Sequence, residues 1–283
     1  IDPASQDISQ TNIFLSVSIY PSKDIYLIIM KNITDVKNLE IVRSSFIANV
    51  SHEMRTPLAS IIGFLETISS SAKDDIEATK KFLSIIEKEA LRMKRLLDDL
   101  LIITKIESDE HVHPTKKVDL LHTLKIVEDN FEQSLKKNNI SIEKVYDDEN
   151  LYVLGNQDEL IQVFSNIIEN SIKYANENSK IRIKLRILED KNNDHSVNRL
   201  FQYNYAIIEL IDESEGIPKK HLHRLTERFY RVDKARSKDK GGTGLGLTIV
   251  KHILNKHRGS LDIESEINKG SIFTIKIPVA PIT

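Results

Sequence analysis

The sequence predicts an α+β protein, a long helical hairpin followed by a layered α/β domain. Three observations carry this. From about Lys37 to Leu100 apolar residues recur in steps of three or four, the period of an amphipathic helix. Beyond Asp119, short apolar strands alternate with further helical stretches. Of the 283 residues 40% are hydrophobic and 29% charged, which supports ordinary cores and argues against wholesale disorder.

Composition narrows the functions. A prior of roughly one domain per 100–200 residues gives two folded units and an extra fragment. The 40 basic and 42 acidic residues leave a net charge of −2, without the basic excess of a nucleic-acid binder. There is no Cys, which removes disulfides, thiolate catalysis and cysteine zinc sites. No apolar run approaches the roughly 18 residues of a membrane span, and no signal peptide opens the chain. The chain starts Ile1-Asp2-Pro3 rather than with Met, so it reads as a piece of something longer.

Ile13, Leu15, Val17 and Ile19 alternate as in a strand. Pro21-Ser22-Lys23-Asp24 reads as a turn, and Ile25 to Met30 as a second, buried strand. Two strands alone are marginal in water, so the rest of this sheet is expected to lie outside the chain. The competing reading is a hairpin packed on the domains that follow.

Leu39, Val42, Phe46, Val50, Met54, Leu58, Ile61, Leu65 and Ile68 form one stripe on a helix of about nine turns. Ser69-Ser70-Ser71 with Lys73-Asp74-Asp75 makes the turn. Leu83, Ile86, Ala90, Met93, Leu97 and Leu100 form the stripe of a second helix. One hairpin buries only one face of each helix, so two copies should complete a four-helix bundle. A monomeric hairpin docked on the next domain would leave more apolar surface wet.

His52 sits two residues from both Val50 and Met54, which at about 100° per residue puts it nearly opposite the stripe. It is an exposed imidazole beside Glu53 and Arg55, with Thr56 one turn on and on the same face. Pro57 cannot donate to the Glu53 carbonyl, which predicts a kink. An exposed His is most often a surface residue, and this setting makes a functional role about as probable as that. The run also begins like a zinc-protease H-E-x-x-H, but Thr56 stands where the second ligand belongs.

Asp119 can cap a helix running to about Lys137, with strands near 140–146 and 151–154. A further helix spans roughly Asp158 to Ala175, with Leu160, Val163, Phe164, Ile167 and Ile168 on its apolar face. Asn166, Asn170, Lys173 and Tyr174 share a different face. Asn oxygens suit a hard cation, Lys a phosphate and Tyr a base; taken alone, a solvated Asn-rich face explains them slightly better. Strands follow near 181–188 and 205–211, the second running into Asp212-Glu213-Ser214-Glu215-Gly216-Ile217-Pro218 and placing a carboxylate at a loop mouth.

Gly241-Gly242-Thr243-Gly244-Leu245-Gly246-Leu247 then opens an apolar helix, a pattern that lets backbone N–H groups wrap an anion. It is neither a P-loop nor a dinucleotide fingerprint. Arg231, Lys234, Arg236, Lys238 and Lys240 precede it as a basic loop, either a solvated linker or, next to a glycine cradle, a lid over phosphates. Strands near 260–265 and 271–277 close the sheet.

In this order the segments resemble the boxes of bacterial two-component sensor histidine kinases. Phe46 to Leu58 is similar to the H box, Leu160 to Ala175 to the N box and Asp212 to Pro218 to G1. Leu225 to Arg236 is similar to the F box and Gly242 to Leu247 to G2. The resemblance runs from about residue 37 to the end. One departure stands out: Ser214 occupies the first glycine of the usual D-x-G-x-G. Residues 13–35, ending Asn32-Ile33-Thr34-Asp35, resemble the last strands of a PAS sensor domain. The runs after the H box and at Glu110 to Thr115 resemble the phosphate-regulon branch of the family.

The resemblance implies a PAS-like remnant over 1–36, a dimerisation and phosphotransfer hairpin over 37–109, and an ATP-binding α/β sandwich of the gyrase/Hsp90/histidine-kinase type over 115–280. It implies autophosphorylation of His52 from ATP with Mg²⁺, with Glu53 as orienter or base, then transfer to a response-regulator aspartate. Thr56 matches the family's phosphatase position. Asp212 would take the adenine amino group in the Gly216-Ile217 turn, with Tyr174 on the base. Asn170, helped by Asn166, would ligate Mg²⁺. Lys173, Arg231, Arg236 and the backbone of Gly242, Thr243, Gly244, Leu245 and Gly246 would bind phosphates. The implied partners are a second copy and a receiver domain, with no nucleic acid. The region would be cytoplasmic, and the full protein anchored in the bacterial inner membrane. Two rivals are a non-catalytic dimeric scaffold that docks a regulator and another ATPase of the same fold.

Overall fold

A computed structural model describes residues 13–22, 25–70, 75–109, 111–147, 151–176, 178–188, 204–233 and 242–281. The chain divides into two units, 1–89 and 90–283, with the boundary inside the second long helix. No described helix is long and apolar enough to cross a membrane.

In the first unit, β1 (Leu15–Ser22) pairs antiparallel with β2 (Ile25–Asn32), Leu15 facing Asn32. The expected turn at 21–24 starts later, because Pro21 and Ser22 remain in the strand; Lys23 and Asp24 lie outside the described residues. Leu15, Val17, Ile19, Leu27, Ile28 and Ile29 are all about half exposed or more, so both faces of this ribbon are apolar and uncovered.

Helix α1 (Thr34–Ser69) begins directly after β2. Thr34 ties the junction: its Oγ1 accepts the Phe14 N–H at 2.9 Å, and its own N–H donates to Asn32 Oδ1 at 2.9 Å. The helix continues through Pro57, the only buried residue of α1. Helix α2 (Ile76–Ser108) starts at Asp75, whose carboxylate accepts the Ala78 N–H at 2.9 Å. Phe64 of α1 stacks on Phe82 of α2 with centroids 5.3 Å apart.

The stripe assigned to α2 is only partly covered within one chain: Ile86, Met93 and Leu100 are half-buried. Leu83 and Leu97 are 50% and 45% exposed, whereas Leu96, Ile103 and Ile106 are buried. The helix is apolar on two adjacent faces, and period alone cannot say which one its own chain covers. On α1, Leu39, Val42, Leu58 and Leu65 stay 46–69% exposed, so the predicted seam is present but uncovered within one chain.

In the second unit, β4 (Ser141–Tyr146), β6 (Lys180–Leu188), β7 (Tyr205–Asp212), β9 (Gly270–Pro278) and β8 (Ser260–Glu266) form a five-stranded sheet in that order. Only the β4–β6 pair is parallel. The strand expected near 151–154 is β5 (Tyr152–Leu154), which leaves the main sheet and pairs with β3 (Lys117–Asp119). Asp119 caps α3 (Leu120–Lys137) as predicted, accepting the His122 N–H at 3.0 Å. Asn156, not singled out in the sequence, caps α4 (Gln157–Tyr174) through the N–H groups of Asp158 and Glu159. A short α5 (Lys219–Leu222) precedes α6 (Gly246–Lys256).

Helices α3, α4 and α6 pack side by side as the second layer. The inward sheet row carries Ile181, Ile183 and Leu185, then Ala206, Ile208 and Leu210, then Phe273, Ile275 and Ile277, all at most 4% exposed. Phe164, Ile167 and Ile168 of α4 are fully buried. Full burial of such a side chain is worth about 1.5–3 kcal/mol, so this interlayer is the main source of stability. The opposite face is charged and pairs across strands, Arg182 with Glu143 at 3.0 Å and Arg186 with Glu209 at 3.1 Å.

Candidate functional site

Strand register places the deepest polar group of the second unit. Period 2 along β7 puts Asp212 on the same inward face as Leu210 and Ile208. Its cross-strand neighbours are Ile181 and Ser271, so the apolar row ends in a carboxylate beside a serine. Asp212 is 3% exposed. Its Oδ1 accepts the N–H groups of Ser214 and Ser271, both at 3.1 Å, and its Oδ2 accepts the Ser171 hydroxyl at 3.2 Å. Burial pushes the carboxyl above the ordinary range, and hydrogen bonds from Ser214, Ser271 and Ser171 pull the other way.

Above Asp212 opens a cavity of about 640 Å³. Asn166, Asn170, Lys173 and Tyr174 of α4 line it, so the face singled out in the sequence is a cavity wall rather than a solvated surface. Gly216, Ile217, Arg231, Gly242, Thr243, Gly244 and Gly246 line it as well. Leu245 does not: its side chain is fully buried, and its backbone N–H, the group expected to meet a ligand, donates to Thr243 Oγ1 at 3.3 Å. Apolar side chains look inward through the same glycine loop that faces the ligand side, an alternation the glycine pattern conceals. Arg236, with Lys234, Lys238, Lys240 and Gly241, lies outside the described residues.

Ser214 is accommodated without strain, since it is not among the residues with positive φ. Its hydroxyl accepts the Gly216 N–H at 3.3 Å and lies 3.4 Å from Ser271 Oγ. Gly216 is the position that must be glycine: φ is +74°, and a Cβ would sit 2.1 Å from the Glu266 carbonyl oxygen. Gly244, at φ +76°, would meet the Phe229 backbone at 2.9 Å. Gly246 differs, because a Cβ there would meet only Asn166 at 3.7 Å. Protein packing does not demand that glycine, and its open side leaves a cradle at the first turn of α6.

Asn166 is 9% exposed; its Nδ2 donates to the Gly246 carbonyl at 3.2 Å and its Oδ1 accepts from Gln162 at 3.1 Å. It therefore braces the glycine loop. The Asn170 amide makes no hydrogen bond to another described residue. Lys173 Nζ lies 3.8 Å from Glu169. Among the described residues no three His, Asp or Glu side chains converge as a metal cage. A hard cation here fits the Asn170 oxygen completed by a ligand's own phosphates.

Sequence reasoning missed two groups of residues. The hydroxyls of Ser171 and Ser271 gather around Asp212 only through register and helix phase. Arg95, Asp98, Asp99 and Ile102 of α2 form a further wall. Their one sequence signal is the i, i+4 spacing of Arg95 and Asp99 on a helix assigned wholly to the hairpin.

The first unit holds the other candidate. His52 is exposed on α1, nearly opposite the half-buried Val50 and Met54, with Glu53 partly covered beside it. Thr56 is exposed, and its hydroxyl donates to the His52 carbonyl at 3.3 Å. Pro57 stacks the next position with a ring that carries no N–H.

Residues 42–109 match the family of His Kinase A phospho-acceptor domains, and residues 155–281 match the histidine kinase-, DNA gyrase B- and HSP90-like ATPases. The phosphate regulon sensor protein PhoR of Pseudomonas aeruginosa is 36% identical over 94% of this chain and 56% of its own length. The chain belongs to the sensor histidine kinases. WalK of Bacillus subtilis is 32% identical over 88% of this chain and 39% of its own length. This kinase chain thus spans about half, or less, of the length of those relatives.

Two solved kinases share the fold. Histidine kinase ThkA, in complex with response regulator protein TrrA, superposes with a TM-score of 0.66 at 21% identity over 94% of this chain and 79% of that one. Histidine kinase AdeS of Acinetobacter baumannii gives 0.58 at 24% over 81% and 98%. The α+β reading stands: a phospho-acceptor hairpin followed by an α/β ATPase-family domain.

Proposed function

We propose that this chain is the kinase region of a bifunctional sensor histidine kinase that phosphorylates His52 from ATP. The observation that carries it is the convergence of buried Asp212, the Asn170 face of α4 and the glycine loop on one cavity. Asp212 accepts a hydrogen bond from the adenine amino group, and Tyr174 and Ile217 flank the base. Lys173, Arg231, Arg236 and the N–H groups of the Gly242–Gly246 loop hold the phosphates. Asn170 would hold Mg²⁺, which would neutralise phosphate charge, while Asn166, its amide engaged by Gln162 and Gly246, braces the first turn of α6 rather than serving as the second ligand. His52 attacks the γ-phosphorus in line through neutral Nε2; the bond to the ADP oxygen breaks, and Glu53 orients the ring through Nδ1–H. Catalysis on this reading is positioning and charge neutralisation.

The phosphoryl group then passes to an aspartate of a receiver domain, and Thr56 orients water against the regulator's phospho-aspartate. Residues 37–109 form the dimerisation hairpin and 115–280 the catalytic domain. Residues 1–36 are the end of a PAS-like domain, which the two bare faces of β1–β2 support. The likeness to PhoR, a phosphate regulon sensor protein, supports phosphate-linked signalling; a membrane-anchored full-length protein with a cytoplasmic kinase region is the remaining part of the proposal.

Incubation with γ-labelled ATP tests the reading. His52→Ala should lose all acid-labile, base-stable phosphate while keeping ATP affinity within about twofold, because His52 is not part of the cavity. Thr56→Ala on the same preparations should keep His52 labelling and lose regulator dephosphorylation. Label persisting on His52→Ala would end the assignment. Absence of label on the wild type with intact ATP binding would favour a docking scaffold.

A further inference from the structure

The α2 wall of the cavity is charged and tied to the glycine loop. Thr243 donates its hydroxyl to Asp99 Oδ2 at 2.6 Å and accepts the Leu245 N–H at 3.3 Å. Both Asp99 and Thr243 line the cavity, as do Asp98 and Glu169, while Arg95 is the one cation on this turn of α2 that faces them. Farther along the helix Glu107 pairs with Arg228 and lies 3.6 Å from His252 Nε2. Ile103 and Ile106 are buried between these two attachments. The last three turns of α2 are therefore packed within the second unit, with a carboxylate beside the glycine loop.

We infer that Asp99 is a built-in competitor for nucleotide phosphate: its carboxylate holds Thr243 and sets a negative charge at the glycine loop, so nucleotide binds at full strength only when this turn of α2 withdraws. The inference rests on the proposed ATP site and adds a regulator to it. Burial raises the Asp99 carboxyl pKa above its ordinary value, with Glu169 and Asp98 adding to the shift and the Thr243 hydrogen bond and Arg95 opposing it. A group that is already crowded by like charges gains nothing from an incoming polyphosphate. Asp99 lies on a helix that runs without a break from Ile76 to Ser108.

The test is calorimetric titration of ATP, ADP and adenosine into the whole chain at fixed Mg²⁺. Asp99→Asn is nearly isosteric and keeps an acceptor for Thr243, so it removes charge and little else. ATP should tighten by about tenfold, the scale of one like charge removed from a partly wet site, ADP by less, and adenosine should not change. Added salt should shrink the gain. Asp99→Ser, which lacks both charge and reach, should give the same ranking, and a thermal melt of each variant checks that it folds. Weaker ATP binding, or an equal change for all three ligands, would overturn the inference and leave the nucleotide site intact. If the wild type binds none of the three, the ATP reading fails and takes this inference with it.

Discussion

At the residue scale the second unit is organised around one carboxylate placed where an apolar row would otherwise continue. Asp212 is desolvated by the same packing that makes Leu210 and Phe273 stabilising. Its folded pKa is raised, so the folded state favours the protonated form. Below the unfolded pKa the residue costs nothing extra; as pH rises through the folded value, ionisation removes stability. Asp212→Asn should therefore match or exceed the wild-type Tm near neutral pH, with the difference closing as pH falls and the wild-type carboxyl protonates. The same change should weaken ATP by about 100-fold, because an amide nitrogen can replace the acceptor that adenine needs. Melting curves and ATP titration of one preparation check both; a loss of Tm together with unchanged affinity would show that Asp212 is only a structural anchor. Ser214 belongs to the same scale. A hydroxyl that accepts the Gly216 N–H does locally what a glycine there cannot, and it needs no unusual backbone to do so.

At the element scale the long helices carry more apolar surface than one chain covers. Leu39, Val42, Leu58, Leu65, Leu83 and Leu97 remain 45–69% exposed along α1 and α2. Each is worth about 1.5–3 kcal/mol when fully buried, and a four-helix bundle between two copies buries them. Light scattering at tens of micromolar should give a homodimer through residues 37–105. Replacing Leu58 and Leu65 together with Glu should give a monomer whose helical content is retained. A wild-type monomer under those conditions would contradict the seam. Helix α4 shows the complementary case. Its buried stripe and the shared polar face were readable from spacing; only the cavity made that face a wall and supplied a reason for two Asn on one helix.

At the scale of the whole molecule, stability of the second unit depends on a neutral histidine. His257 is 4% exposed, its Nδ1 donates to the Ile253 carbonyl at 2.8 Å and its Nε2 accepts the Asn156 N–H at 3.1 Å. It thereby joins the end of α6 to the cap of α4, the two helices that carry the glycine loop and the Asn face. Burial lowers its pKa, against the opposing Ile253 hydrogen bond and the Glu159 charge. The unfolded chain takes up this proton near pH 6.5 and the folded chain only at lower pH, so stability contributed by His257 is present above about pH 6.5 and is lost as pH falls below it. His257→Gln should melt lower at pH 7.5, by about 1–3 kcal/mol, yet lose less stability than the wild type between pH 7 and 5.5. Equal slopes for the two proteins would rule out His257 as the titrating group.

The sequence by itself determined the order of the main elements, the Asp119 cap, the helical period of α1, the exposure of His52 and which residues share the polar face of α4. Each of these follows from local period or capping chemistry, which acts within a few residues along the chain. Tertiary structure decided the rest, including that this face of α4 lines a cavity. Asp212 and Ser271 are 59 residues apart and meet through strand register. Asp99 and Thr243 are 144 apart and meet because the C-terminal turns of α2 pack within the second unit. Leu245 buries its side chain, and β5 pairs with β3 rather than joining the five-stranded sheet because the pairing partner, not the strand's own residues, sets a strand's place. Contacts between distant segments depend on which faces the packed layers bring together, and no spacing within a single segment records that.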